Sequence, residues 1–175
     1  FELKNQSKIE KRKGIDQVNL VFAYHVPIAN NNKCYAAKVL NSLMTGGMSS
    51  RLFEEIREKR NLAYAIQGDS VINRDFAYNF IYAGIIKENI EQVKKIILDE
   101  FEKVSKNLAE KELKQTKEKL IGNYQISMED SQNQMINLLV SEVHGNAENF
   151  YEFEKNISKV KLEDVKEIAS HFKEN

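Results

Sequence analysis

The sequence predicts an α+β fold in two layers, an antiparallel sheet with helices packed against it. Three observations carry this. The run from Gln17 to Val26 alternates apolar and less apolar residues with a period of two. Two further strand-like runs, 63–72 and 75–86, flank Asn73-Arg74-Asp75, which has turn chemistry and marks a β-hairpin. From Ile90 onward every periodic segment is helical. Strands early and helices late place the helices on one side of the sheet.

The elements follow in order. Residues 1–14 are polar and basic, with a short edge strand expected around Lys8 to Arg12 and a stop at Gly14. In the first long strand Val18, Leu20, Phe22, Tyr24 and Val26 share the strongly buried face, and Pro27 ends it. Asn30-Asn31-Asn32 supplies a turn and N-cap chemistry for a helix over 33–45. Its stripe is Ala36, Val39, Leu40 and Leu43, and Gly46-Gly47 stops it. A second helix starts from a cap at Ser49 or Ser50 and runs to Arg60, with Leu52, Phe53 and Ile56 as its apolar stripe. Glu54 and Glu55 near its start and Arg57, Lys59 and Arg60 near its end complement the helix dipole. Asn61 stands where the chain must leave the helix, and Asn tolerates the left-handed conformation.

In the second hairpin strand Phe76, Tyr78, Phe80 and Tyr82 share one face, opposite Ala77, Asn79, Ile81 and Ala83. The helical half begins with the stripe Ile90, Val93, Ile96, Ile97, Phe101, Val104 and Leu108. A helix over 109–127 carries Leu113, Leu120, Ile121 and Tyr124. A third over 128–143 carries Met135, Leu138, Leu139 and Val143, with a break near Met128 and a stop at Gly145-Asn146. Residues 150–156 read as a short helix. Residues 162–172 close the chain, with Val165, Ile168, Ala169 and Phe172 inward.

At 175 residues the chain reads as one domain, long enough to bury a substantial core. Lys+Arg and Asp+Glu balance at 26 each, which gives no electrostatic reason to expect nucleic acid or an anionic membrane surface as partner. Cys34 is alone, so no internal disulfide forms, and a reducing, cytoplasmic location is expected. No apolar run approaches the roughly 20 residues that cross a bilayer. The start at Phe1, without an initiator Met, reads as a fragment of a longer chain.

The polar residues offer little local chemistry. His25, His144 and His171 stand far apart, with no HxxEH or HExxH spacing, so no self-contained metal site is expected. Ser49, Ser50 and Cys34 lack the surroundings of an activated nucleophile and read as caps and a buried small residue. The acidic pairs Glu54-Glu55, Asp99-Glu100 and Glu163-Asp164 diverge along helices and form no acid–base dyad. Arg57 and Tyr64 stand out by placement. A guanidinium and a phenol flanking a helix-to-strand junction can hydrogen-bond a peptide's carbonyls or a carboxylate. On local physics alone Arg57 also reads as a helix-end charge and Tyr64 as a core aromatic.

A resemblance bears on that choice. Gly46-Gly47-Met48-Ser49-Ser50-Arg51-Leu52-Phe53, then Ile56-Arg57-Glu58-Lys59, then Leu62-Ala63-Tyr64 closely resembles the signature of the C-terminal half of insulinase-like (pitrilysin, M16) zinc metallopeptidases. Asp16-Gln17-Val18 and the pattern Ile157, Val160, Leu162, Asp164, Val165, Ala169 resemble the same family more softly. Asn61 departs from it, since the family often has Gly there. The resemblance implies a LuxS/MPP-like metallohydrolase fold, here truncated at its ends. It implies a C-terminal half without a metal site, facing a zinc-bearing N-terminal half across a chamber. Zinc would belong to the parent enzyme, on an HxxEH helix in that half or in a homologous partner subunit. Arg57 and Tyr64, seven residues apart, would bind the peptide substrate, with Tyr64 stabilising the oxyanion. The alternative is a non-catalytic scaffold or partner subunit of the same fold. No nucleic acid or membrane partner is expected.

Overall fold

Three strands build one antiparallel sheet in the order β1-β3-β2: β1 (Gln17–His25), β2 (Ala63–Ile72) and β3 (Ala77–Ile86). The computed structural model describes residues 6–14 and 17–172. Asp16, the first residue of the soft match at the head of β1, lies outside the described residues. The expected strand at Lys8 to Arg12 does not form; that stretch is irregular and exposed. It carries Lys8, Glu10, Lys11 and Arg12 around a single Ile9 that is itself exposed, so it has no apolar face to bury on a sheet.

The register places the side chains. Leu20 pairs with Ala83, Phe22 with Ile81 and Tyr24 with Asn79; from the other side Ile66 pairs with Ala83 and Gly68 with Ile81. These residues share the face that meets the helices, so β3 buries Ala77, Asn79, Ile81, Ala83 and Ile85. The aromatic row Tyr78, Phe80 and Tyr82 lies on the opposite, half-exposed face, with neighbouring rings 6.4–6.5 Å apart between Phe76, Tyr78 and Phe80. Small residues on the inner face let helix α1 (Cys34–Thr45) approach the sheet closely. Asn79 Nδ2 donates to Ala37 O at 2.9 Å and to Tyr24 Oη at 3.1 Å. A Cβ at Gly68 would stand 2.5 Å from Thr45 Oγ1 and 2.6 Å from Phe80 O, so glycine is required where α1 crosses β2.

Helices α2 (Ile90–Asn107), α3 (Glu110–Ser127), α4 (Ser131–Val143), α5 (Phe153–Lys159) and α6 (Leu162–His171) follow. The periodicity is obeyed in α1, α2 and α6: Val39, Leu40, Val93, Ile97, Phe101, Val104 and Val165 are fully buried. Helix α6 packs on both α1 and α2. Phe172, just beyond α6, stacks on Phe101 at 3.8 Å and meets the Tyr24 edge at 4.9 Å, which joins the closing helix to α2 and β1.

Several boundaries shift. The hairpin closes through Asn73 N to Phe76 O at 2.9 Å, so β3 begins at Ala77. The short helix forms at Phe153–Lys159 instead of 150–156, because Asn146 caps a separate 3₁₀ turn, Ala147–Phe150, ahead of it. Asn31 Oδ1 accepts from Lys33 N at 2.9 Å, an Asx turn leading into α1; no side chain caps α1 itself.

The expected break near Met128 is present, and Asp130 Oδ1 caps α4 through Gln132 N at 2.8 Å. Burial on α4 is corrected, however. Met135, Leu139 and Val143 are 62%, 61% and 66% exposed, and α4 has no buried residue. The turn at Met128 carries the helix off the core, and α4 packs mainly on the following 3₁₀ turn. Among the described residues no helix is long and apolar enough to cross a membrane.

Candidate functional site

The site is built on the connection from α1 to β2. Gly46 closes α1 through its N–H to Ser42 O at 2.8 Å, and a Cβ there would stand 2.4 Å from that oxygen. Gly47 follows at φ +101°, a conformation L side chains rarely adopt. Neither serine caps the next helix, contrary to the sequence expectation. Ser50 donates through N (2.9 Å) and Oγ (2.6 Å) back to Gly47 O, and Ser49 Oγ accepts from Lys119 Nζ at 3.0 Å. Both hydroxyls are used to close the glycine turn and to pin it to α3.

The helix itself is also corrected. Phe53–Glu58 is π-helical, seen in Lys59 N donating to Glu54 O at 2.9 Å, five residues back. Leu52 and Ile56 are fully buried and anchor it. The exit is as the sequence requires: Asn61 sits at φ 50°, the one non-glycine positive φ among the described residues. Asn61 N donates to Arg57 O at 3.0 Å and Leu62 N to Ile56 O at 2.9 Å, so the turn holds the backbone of Arg57 directly. Asn61→Gly is expected to change stability by only a few tenths of a kcal/mol, whereas Asn61→Val costs about 1–2 kcal/mol, read by chemical denaturation.

The basic side chains of this segment divide in two. Lys59 and Arg60 both pair with Glu55, at 2.6 Å and 2.5 Å. Arg51 grips Glu112 with two bonds of 2.6 Å and reaches Glu100 at 3.2 Å; Lys103 also pairs with Glu100 at 2.6 Å. Arg57 makes no ion pair among the described residues. Its guanidinium lies over the Phe53 ring at 5.0 Å from the centroid and is exposed.

Tyr64 is placed by a β-bulge. Ala63 pairs with Ile85 and Ala65 with Gly84, the next residue, so Tyr64 is the extra residue on its strand. It is 64% exposed while Ala63 is 6% exposed, which removes the core-aromatic reading. Arg57 and Tyr64 thus flank one tight turn, both uncovered, and neither side chain hydrogen-bonds within the described residues.

Three features of the site had no local signal. The π-helical turn and the bulge depend on how the segment docks. The Arg51–Glu112 pair joins residues 61 apart, with Arg51 one-fifth exposed and Glu112 about one-third exposed. It ties the start of the segment to α3, and the Arg51–Glu100 bond ties it to α2. Arg51→Met leaves Glu100, 3% exposed, with Lys103 alone, and is expected to cost about 2 kcal/mol in a urea titration. Glu55 gives a pH effect. Its hydrogen bonds to Lys59 and then Arg60 hold its carboxyl at about 2, below the ordinary 4.5. The unfolded chain binds the proton first as pH falls, so this contribution is full above pH ~4.5 and lost through pH ~2. Glu55→Gln is expected to lower Tm by about 1–2 °C at pH 7 and by nothing near pH 2, because the Lys59 and Arg60 side chains that pair with it are largely in solvent.

His25, His144 and His171 sit at the ends of β1, α4 and α6 and are not brought together. Among the described residues no three His, Cys, Asp or Glu side chains are grouped to hold a metal ion. Cys34 is buried, and burial raises its thiol pKa. These residues fit no zinc ion.

Residues 2–120 match the family model described as peptidase M16 inactive domain, and the chain belongs to that family. An uncharacterised zinc protease of Mycobacterium tuberculosis is 32% identical over 139 residues, covering 78% of this chain and 32% of that protein. The uncharacterised zinc protease YmxG of Bacillus subtilis is 27% identical over 129 residues, covering 73% and 32%. The chain therefore spans about a third of these relatives' length. In fold, it is similar to a protease from Helicobacter pylori at TM-score 0.81 with 21% identity, over 91% of this chain and 39% of that one. It is also similar to the inactive peptidase domain of a zinc protease from Bordetella parapertussis at TM-score 0.77 with 18% identity, over 92% and 88%.

Proposed function

We propose that this chain is the substrate-holding half of a zinc endopeptidase that hydrolyses peptides or unfolded polypeptide segments. The zinc is supplied by the rest of a longer chain or by a homologous subunit. The observation that carries this is Arg57: in a segment whose other arginines and lysine are all paired with carboxylates, it alone is left without an acid among the described residues, with an exposed Tyr64 across the turn that follows. A structural arginine would be expected to share the abundant glutamates. The zinc-protease names of the relatives support zinc in the parent enzyme.

The roles follow from the groups. Arg57 offers planar donors to peptide carbonyls or a carboxylate, and Phe53 beneath it limits where the guanidinium swings. Tyr64 offers one O–H to the oxygen that gains charge as the carbonyl becomes tetrahedral. The metal, when bound by the other half, polarises the carbonyl and activates water.

The test is Arg57→Ala in the zinc-bearing parent or the reconstituted pair. KM for an unfolded peptide is expected to rise about tenfold, with partial recovery in Arg57→Lys. An unchanged kcat/KM would refute the role and leave a scaffold subunit of the same fold as the reading.

A further inference from the structure

A groove of about 1120 Å³ runs between α1 and β2 on one side and α3, α4 and the 3₁₀ turn on the other. It gathers opposite charges that do not meet. Lys38, on α1, is half-buried there, with its ammonium 5.6 Å from the centroid of the Phe153 ring. Asp69, on β2, lines the same groove, and its Oδ1 accepts from Ser70 N at 2.7 Å. Neither Lys38 nor Asp69 forms an ion pair among the described residues. Burial lowers the Lys38 pKa, while Cys34 and Asp69 act the other way, so the carboxylate is near enough to be felt without being in contact.

The floor beside Asp69 lacks donors. Ser70 lines the groove, and its Oγ is shielded from solvent and makes no hydrogen bond. Asn79 stands opposite Ser70 across the ladder, and its Oδ1 is likewise buried without a partner. Buried oxygens are normally hydrogen-bonded, so a polar group belongs here. The wall beside Lys38 is aromatic. Phe153 stacks on Tyr124 at 4.1 Å and meets Tyr35 at 6.4 Å, and all three rings line the groove.

We infer that this part of the groove binds a free aromatic α-amino acid. Its carboxylate pairs with Lys38, its ammonium bridges Asp69 and Ser70 Oγ, and its ring joins those of Tyr35 and Phe153. One carbon separates the two charged ends of an amino acid, so it fits between charges that lie close but do not touch. An ammonium has three donors, enough for a carboxylate and a hydroxyl together. A simple anion or cation would leave either Asp69 or Lys38 without a partner. The inference goes beyond the peptide-holding role and requires no part of it, since Arg57 and Tyr64 do not line the groove.

The experiment is a chemical-shift titration of this chain with L-phenylalanine and with three compounds that each lack one feature. Phenylalaninamide lacks the carboxylate, N-acetylphenylalanine the ammonium, and L-alanine the ring. Each is expected to bind about tenfold more weakly than phenylalanine, or worse. Lys38→Met is expected to remove the advantage of phenylalanine over its amide and to keep its advantage over the N-acetyl form. Asp69→Asn is expected to do the opposite. Thermal melts check that both variants fold, and the analogue series on the unaltered chain decides the matter if either does not. Arg57→Ala is expected to leave the affinity for phenylalanine unchanged, so this site and the Arg57 role stand or fall separately. No binding of phenylalanine up to millimolar concentration would overturn the inference. So would an amide and an N-acetyl form that bind as tightly as phenylalanine, or folded variants that keep both preferences.

Discussion

Tyr64→Phe in the zinc-bearing parent enzyme is expected to lower kcat by about 10²- to 10³-fold, the usual loss when one oxyanion donor is removed. KM is expected to stay within about threefold, because in the proposed role the hydroxyl would gain its full partner only as charge develops. The substitution deletes one oxygen from a side chain that is 64% exposed and hydrogen-bonds nothing within the described residues. Stability should therefore change by less than about 0.5 kcal/mol, and a thermal melt of the chain checks this. Steady-state kinetics on an unfolded peptide checks the rate. A kcat that does not move would place the hydroxyl away from the reacting carbonyl, even if Arg57 still proved necessary for binding.

The second large effect is on the fold. Phe101→Ala is expected to cost about 3–5 kcal/mol and to lower Tm by roughly 10 °C. Phe101 is fully buried, stacks on Phe172 at 3.8 Å and meets Tyr24 edge-on at 5.4 Å. Its loss opens a cavity where α2, α6 and β1 converge, and neighbouring side chains are already in contact with each other and cannot all close on it. The control is Phe76→Ala, at 56% exposure in the hairpin turn, which is expected to cost under about 1 kcal/mol. Similar losses from both would mean that the closing helix is not held through this ring cluster.

Much of the sheet and the first helix is legible in the residues. Gln17 to His25 alternates and forms β1; Asn73-Arg74-Asp75 turns the hairpin; Ala36, Val39, Leu40 and Leu43 face inward on α1. Asn61 illustrates the strongest kind of local inference. A charged helix had to end before a strand within a residue or two, and Asn is one of few residues that accept the left-handed turn this requires. The chain places it there at φ 50°. Arg57 and Tyr64 are legible as a pair only through the wording of the motif around them. Their charge and aromaticity alone fit a helix end and a core equally well.

The rest depended on contacts between residues far apart in the chain. An alternating strand shows that its two faces differ but not which one is covered. On β3 the aromatic row looks the more apolar, yet Ala77, Ile81 and Ala83 face inward, because α1 needs small residues to lie close. A helical stripe likewise reports an apolar side without naming its cover, so Met135, Leu139 and Val143 look like core and stand in solvent once the Met128 turn directs α4 outward. The pairing of Arg51 with Glu112 and the bulge that exposes Tyr64 belong to the same class. Local periodicity and turn chemistry act within a few residues, and the chain carries them in plain order. Burial, charge pairing and strand register are settled when distant segments meet, and those meetings leave Arg57 without a carboxylate partner among the described residues and Tyr64 uncovered.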